Sequence, residues 1–594
     1  MVKIGVAFPD YISKDKGRKI RNFDFGEKIS SKKSRDLLLL GIFIAAVVIL
    51  LARLFVLQVL QGSYYRGLSD SNRTKTILIH APRGTIFDTK GRPLVYNIPG
   101  FRETINGKTH LVDRNTANML IAQGNKNLEI DSLREYPYKD AFAHVVGYIG
   151  QISPDDLKQD QFSNYSSGDL IGKEGIEQEY ESVLVGTDGK KLVEEDSLGH
   201  EVRVLGQTDP TPGHDLNLTL DLDVQNAAYD AMKDVKKGAV IVSTPKGDVL
   251  AILSKPSFDP NLFTLGENYK PASSSAYQSL EDLLSDSQNE PFLDRAISGV
   301  YPPGSTFKLV VASAGLANKI IDESFQVDDT GILRVGSFSF SNWYFTQYGG
   351  VDGLINIVRA ITRSNDIFFY KLAEKIGVDR ISQTAAKFGL GKKLGIDLEG
   401  EEPGLLPTTA WKQKVIGEQW YLGDTYHYGI GQGFLLTTPL QVNAWTQAIA
   451  NGGTLYGYHL LKNQSPQVLS KGILDPKSFS LIRQGMIGAC STGGVAYPLF
   501  NFTVKNSKLP VDGKNFLSVA SSSADMRQVV VACKTGTAEH GDGNTLAHAW
   551  ITLFAPAYNP QIVVTVLAED SGEGSVVAGP IAKKILEEWF SKSN

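Results

Sequence analysis

The chain is poor in cysteine, with only Cys490 and Cys533 in 594 residues. So thin a supply excludes a disulfide scaffold. The two are expected as buried thiols, with a bond between them the alternative should this part of the chain be exported. The nine histidines are scattered, and no His/Cys group shows metal-ligand spacing, so no metal and no other cofactor is expected. Lys and Arg number 60 against 64 Asp and Glu, a net charge of −4. That balance lacks the basic excess of a nucleic-acid binder. There is no internal repeat and no long low-complexity tract. Long hydrophobic runs are missing too, with one exception.

The exception is Leu37 to Leu60, LLLLGIFIAAVVILLARLFVLQVL, long enough to cross a bilayer. Residues 1–36 carry a basic excess that includes Lys14, Lys16, Arg18, Lys19, Arg21, Lys32, Lys33 and Arg35. By the positive-inside rule, residues 1–36 form a cytoplasmic tail and everything after Leu60 lies outside. No small-residue cleavage site follows the run, so an uncleaved anchor over 37–60 is expected. The whole chain is 42% hydrophobic and 21% charged, which are globular values, and its length calls for more than one domain.

Beyond the anchor, residues 64–68 continue as an amphipathic segment, and Ile86 sits in a strand with a turn at 88–91. Residues 101–135 are polar and show no clear period. A helix is expected from Gly172 to about Val183, and a strand at 216–220 runs into a helix from about Val224. Gly238–Thr244 and Asp248–Leu253 are two apolar β-rich runs joined by Pro245-Lys246-Gly247, a hairpin. The Ser-rich residues 268–289 read as a loop, 305–474 as helical in pieces, and 500–526 as irregular. Strands at 529–535, 548–553 and 562–567 precede a last helix at 580–590. Strands at both ends of a domain with helices between them predict an α+β fold, an antiparallel sheet with a helical insertion.

Three short motifs stand out in one order: Ser305-Thr306-Phe307-Lys308, Ser364-Asn365-Asp366 and Lys534-Thr535-Gly536. Each alone is cheap, reading as a helix start, a helix cap and an edge strand. Together they describe serine acyl transfer with a lysine base. A serine hydroxyl needs a base within hydrogen-bond reach. Pro302-Pro303-Gly304 stops helix upstream, and residues three apart share a helix face, which puts Lys308 beside Ser305. The apolar run 309–312 carries the helix into a core. Burial and a neighbouring cation such as Lys534 would lower the Lys308 pKa so that it can take a proton. Trp343, Tyr344 and Tyr348 are expected either to line a cleft or to pack in a core.

These motifs, with Arg83-Gly84-Thr85-Ile86-Phe87-Asp88, Gly172 to Tyr180, Pro256 to Asn261, Gly429-Ile430-Gly431-Gln432-Gly433 and Thr438-Pro439-Leu440-Gln441, resemble class B penicillin-binding proteins. The likeness covers nearly everything after Leu37. It implies a single transmembrane helix, a β-rich elongated pedestal over 61–215 and a transpeptidase domain over 216–594. It also implies peptidoglycan D,D-transpeptidation, with stem peptides ending in D-Ala-D-Ala as substrate and covalent capture of β-lactams. The catalytic set implied is Ser305 as nucleophile, Lys308 as base, Ser364 as proton relay, and Asp366 and Lys534. Asn365, Thr535, Gly536 and Thr537 would bind substrate, with an oxyanion hole from the backbone N–H groups of Ser305 and Thr537. Asp366 and the Tyr301-Pro302-Pro303-Gly304 lead-in resemble the elongation branch, which implies a SEDS-family polymerase and other elongation-complex proteins as partners. A division-type transpeptidase, a D,D-carboxypeptidase, a β-lactamase or β-lactam sensor, and a scaffold with a decayed site are the alternatives. Some relatives hold zinc near the second motif; residues 325–370 here contain no Cys or His, so no metal is expected there.

Overall fold

The structure is a computed structural model that describes residues 32–105, 108–125, 128–196, 200–266, 268–519, 525–541 and 545–591. The first 31 residues of the expected basic tail lie outside it. Helix α1 (Lys32–Phe55) runs through a π-turn at Val56–Leu60. Its leucines, isoleucines and valines face outward almost without exception, as a lipid-facing helix requires. Among the described residues it is the one helix long and apolar enough to cross a membrane. It falls in a compact unit of the described residues up to 77 together with those of 191–207; the described residues of 78–190 and 208–591 form a second.

The second unit is built on a five-stranded sheet of β1 (Gly238–Ser243), β2 (Val249–Lys255), β3 (Ala532–Ala538), β4 (His548–Ala555) and β5 (Ile562–Ala568), in the order β2-β1-β5-β4-β3. Every pairing is antiparallel. Side chains alternate between two cores, because successive residues of a strand point to opposite faces. Ala239, Ile241, Trp550 and Phe554 enter one core; Val240, Val242, Ile551 and Leu553 enter the other.

Helices cover both faces. They include α2 (Lys308–Ala317), α3 (Ile357–Arg363), α4 (Asp366–Ile376), α5 (Pro439–Ala450), α6 (Pro476–Ala489) and α7 (Ala578–Ser591). All twelve residues of α5 are buried. Two of its polar side chains reach the sheet: Asn443 donates to Thr565 Oγ1 at 3.2 Å and accepts from Ser243 Oγ at 2.8 Å, and the Thr446 and Thr552 hydroxyls lie 2.8 Å apart. Buried hydrogen bonds of this kind favour one seating of the helix.

The α+β expectation holds, with corrections in detail. Residues 326–356 hold strands rather than helices alone, pairing Gln326–Asp329 with Gly353–Asn356 and Ile332–Val335 with Phe338–Ser341. The stretch 500–526 contributes to a three-stranded sheet of Thr503–Lys505, Phe516–Ser518 and Met526–Val529. Six residues of the expected loop, Leu280–Ser285, are helical. The two cysteines are not free: Cys490, which caps α6, and Cys533 on β3 form a disulfide, with Cα atoms 5.9 Å apart. Packing α6 against the sheet brings them together, a contact that spacing along the chain cannot reveal.

In the pedestal region Pro93–Ile105 pairs with Lys108–Val112, Leu128–Glu135 and Ile86–Phe87. Arg83 there is nearly buried. It donates to Glu177 at 2.8 and 3.0 Å and to Glu181 at 2.8 Å, while Arg134 reaches Glu177 at 2.7 Å. Asp88, fully buried, takes the Arg92 side chain at 2.8 Å.

Candidate active site

Ser305 lies in a 3-10 turn, Gly304–Phe307, that leads directly into α2. The turn is pinned from three sides. Tyr301 exchanges both backbone hydrogen bonds with Thr437, the Gly304 N–H donates to the Gly431 carbonyl at 2.9 Å, and the Trp550 indole N–H donates to the Pro302 carbonyl at 3.1 Å. Gly304 has φ +54, and a Cβ on it would stand 2.9 Å from the Thr537 carbonyl oxygen. Glycine therefore lets the nucleophile's turn sit against β3. Ser305 is half-buried, while Lys308 at the start of α2 has no exposed surface.

The second motif closes α3 and opens α4. Ser364 holds a left-handed backbone, φ 55 and ψ 36, at the end of α3. Glycine is the usual occupant of such a helix end. A serine there bears strain and is kept only where the surroundings fix it. The turn aims the Ser364 carbonyl at Lys308 Nζ, 2.7 Å away. Lys308 also donates to Asp366 Oδ1 at 2.6 Å and to Ser364 Oγ at 3.4 Å. Among the described residues it makes no hydrogen bond to Ser305. The third motif arrives on β3: Lys534 Nζ donates to Ser364 Oγ at 2.8 Å and to the Thr535 carbonyl at 2.8 Å. Ser364 Oγ thus stands between two buried amines.

Burial pushes the Lys308 pKa down from its ordinary value, against the opposing pull of the Asp366 carboxylate. Lys534 is pushed down as well, by burial first and then by the charge of Lys308. Two ammonium groups sharing one dry site disfavour each other, so the cluster readily accepts one proton rather than two.

Asn365, expected to meet substrate, is fully buried. Its side chain caps α4 by accepting the Phe368 N–H at 2.9 Å and donates to Asp329 Oδ2 at 2.7 Å. In this arrangement it holds the turn that carries Ser364 and Asp366. Thr535 is buried and Thr537 exposed on β3. Gly536 lies under Pro303 and Thr306, where a Cβ would be about 3.0 Å from the Thr306 methyl group. Trp343 and Tyr344 are half-buried and Tyr348 exposed, so the core alternative fails for Tyr348.

Sequence reasoning missed the scaffold behind the motif. Asp329 accepts from Gly331 N, Asn342 Nδ2, Asn365 Nδ2 and Asp352 N at 2.7–3.0 Å. Asn342 takes the Asp366 N–H at 3.1 Å, and the Trp343 N–H donates to Asp366 Oδ2 at 2.8 Å. The turn signature Asp329-Thr330-Gly331 was the one available signal. Metal-type donors of the described residues converge elsewhere, at His540, His548 and Asp570, although their spacing in the chain gives no hint of it.

Comparison with known proteins gives the family. Residues 237–587 match the penicillin-binding protein transpeptidase domain, and residues 124–218 the penicillin-binding protein dimerisation domain. The chain is 32% identical to the peptidoglycan D,D-transpeptidase MrdA of Salmonella typhimurium, covering 96% of this chain and 97% of that one. Against MrdA of Escherichia coli K12 the identity is 31%, with 91% of each covered. Among solved structures, PBP2 of Pseudomonas aeruginosa in complex with WCK 5153 superposes with a TM-score of 0.66 at 32% identity, over 87% of this chain and 97% of that one. PBP2 of Helicobacter pylori in complex with MreC gives a TM-score of 0.69 at 28% identity, over 87% and 98%. The chain belongs to the class B penicillin-binding proteins, as a PBP2-type, elongation-type peptidoglycan D,D-transpeptidase with one N-terminal membrane helix.

Proposed function

We propose that Ser305 is the acylated residue and that Lys308, Ser364 and Lys534 move its protons. The observation that carries this reading is Ser364 Oγ held between Lys308 and Lys534 at 3.4 and 2.8 Å, at the foot of the turn that bears Ser305. Neutral Lys308 takes the Ser305 proton as Oγ attacks the carbonyl of the penultimate D-Ala. The backbone N–H groups of Ser305 and Thr537 hold the oxyanion. The C–N bond breaks, and the leaving D-Ala amine takes a proton through Ser364, whose hydroxyl donates and accepts at once. An amine of a neighbouring stem peptide then attacks the ester and frees Ser305. Lys534, Thr535 and Thr537 hold the substrate's terminal carboxylate. Asp366 and Asn365 keep the relay in register.

Fluorescent penicillin should label the full chain covalently, and Ser305→Ala should remove the label. Label retained on another residue would overturn the assignment. Purified protein supplied with lipid-linked peptidoglycan and a polymerase should yield cross-linked muropeptides. Release of D-Ala without cross-links would make it a carboxypeptidase.

The catalytic unit is placed outside the cytoplasmic membrane and residues 1–36 inside. The basic excess of those residues supports this, and so does a disulfide, which persists in oxidising compartments. Protease added to intact spheroplasts should digest the region after Leu60 and spare the N-terminus. A membrane polymerase of the SEDS family and an MreC-like protein are the proposed partners, in line with the complexes solved for relatives. Co-purification of such a polymerase with the full chain tests the first.

A further inference from the structure

The ends of three neighbouring strands bring together donors that the acyl-transfer site does not use. His540 lies just past β3, His548 opens β4 and Asp570 follows β5. Ala538 pairs with His548, and Ala549 with Ala568, so the three strand ends lie side by side. The two imidazoles stack with centroids 3.9 Å apart and planes 8° from parallel. Asp570 Oδ1 lies 2.6 Å from His540 Nε2 and 3.5 Å from His548 Nδ1. One donor atom from each residue falls within 4.8 Å of the others. The Asp570 N–H donates to His548 Nδ1 at 3.3 Å, so that nitrogen is unprotonated, and a metal there would displace this hydrogen bond. Asp570 holds φ +47, a strained backbone of the sort found where a side chain must be aimed. The Leu546 carbonyl, 3.1 Å from His540 Nε2, offers a further oxygen.

We propose that His540, His548 and Asp570 bind one divalent transition-metal ion of the zinc class. Water or the Leu546 carbonyl would complete the shell. Two imidazoles and a carboxylate form a borderline donor set that favours zinc over magnesium or calcium. Zinc bonds of about 2.0–2.2 Å in a tetrahedron separate donors by about 3.3 Å. The His540–Asp570 and His548–Asp570 separations fall on either side of that value, and binding would swing the two imidazoles out of their parallel stack so that both lone pairs meet the ion. The ion would touch no reacting atom. It would clamp β3, which carries Lys534 to Thr537, to β4 and β5.

The test uses the full chain in detergent, free of any polyhistidine tag, stripped with EDTA and titrated with Zn²⁺ alone in a calorimeter. One equivalent should bind, and Zn²⁺ should raise Tm by several degrees. His540→Ala and Asp570→Asn should each weaken binding at least tenfold and abolish the Tm rise. Both sites are partly exposed, and asparagine tolerates the left-handed backbone at 570. His200→Ala, which alters an exposed His–Asp pair elsewhere, should bind zinc as the parent does. The proposal is overturned if the parent binds no zinc, if both cluster variants bind it as tightly, or if His200→Ala removes binding.

Discussion

Lys308 sits where two influences oppose each other. Burial favours the free amine that a base must be, while the Asp366 carboxylate at 2.6 Å favours the ammonium. Burial is the larger, and the pKa is lowered. Asp366→Asn removes the opposing charge, so Lys308 should lose its proton at still lower pH. The acidic limb of the acylation rate, measured by stopped flow with a chromogenic β-lactam, should then move to lower pH. A shift to higher pH would exclude Lys308 as the base. The plateau rate should also fall, because an amide cannot hold both Lys308 and the Trp343 N–H as the carboxylate does. As candidates, Ser305, Lys308, Ser364 and Lys534 were legible in the string, since serine acyl transfer demands those residue types beside short, recognisable turns, and the fold gathers Lys308 and Lys534 around Ser364. Asp329 and Asn342 were not. They act by bracing other residues, and no local pattern records which distant atom a buried carboxylate will hold.

At the scale of elements, the pedestal motif has a physical reason. Arg83 and Glu177 come from different segments and meet in a site closed to water, with Arg134 and Glu181 completing the set. Removing one partner of a buried pair strands the other, at a cost of about 3–5 kcal/mol. Glu177→Ala should therefore lower Tm markedly in a thermal melt, and a melt unchanged from the parent would show that the pair is dispensable. Burial works against the charged form of Glu177, but Arg134 and Arg83 outweigh it and hold the carboxyl below its ordinary range. A depressed carboxyl contributes stability that is present above its unfolded pKa and lost as pH falls through the folded one. The fall in Tm on acidification should be shallower in Glu177→Gln than in the parent. Long apolar strands and capped helices were read correctly because their periods run for a turn or more. The four-residue strands of 326–356 are too short to show a period, and Pro99-Gly100 interrupts the pattern of the long strand Pro93–Ile105.

For the whole molecule, the disulfide joins residues 43 apart in sequence and ties α6 to the strand that carries Lys534. Closing a loop of that length removes about 4 kcal/mol of unfolded-chain entropy in the chain-entropy account. Replacing both cysteines with alanine should lower Tm by several degrees, while identical melts before and after reduction would mean the bond is not formed. The central sheet has a consequence of another kind. β1 and β2 are synthesised early, but the strand beside β1 is β5, almost at the end of the chain. A chain synthesised N-terminus first must hold an unpaired hairpin edge, and Ser305 with it, until the last strands emerge. Premature stop codons ahead of Ile562 would leave no partial enzyme, only an anchored chain with an incomplete sheet, a target for chaperones and proteases.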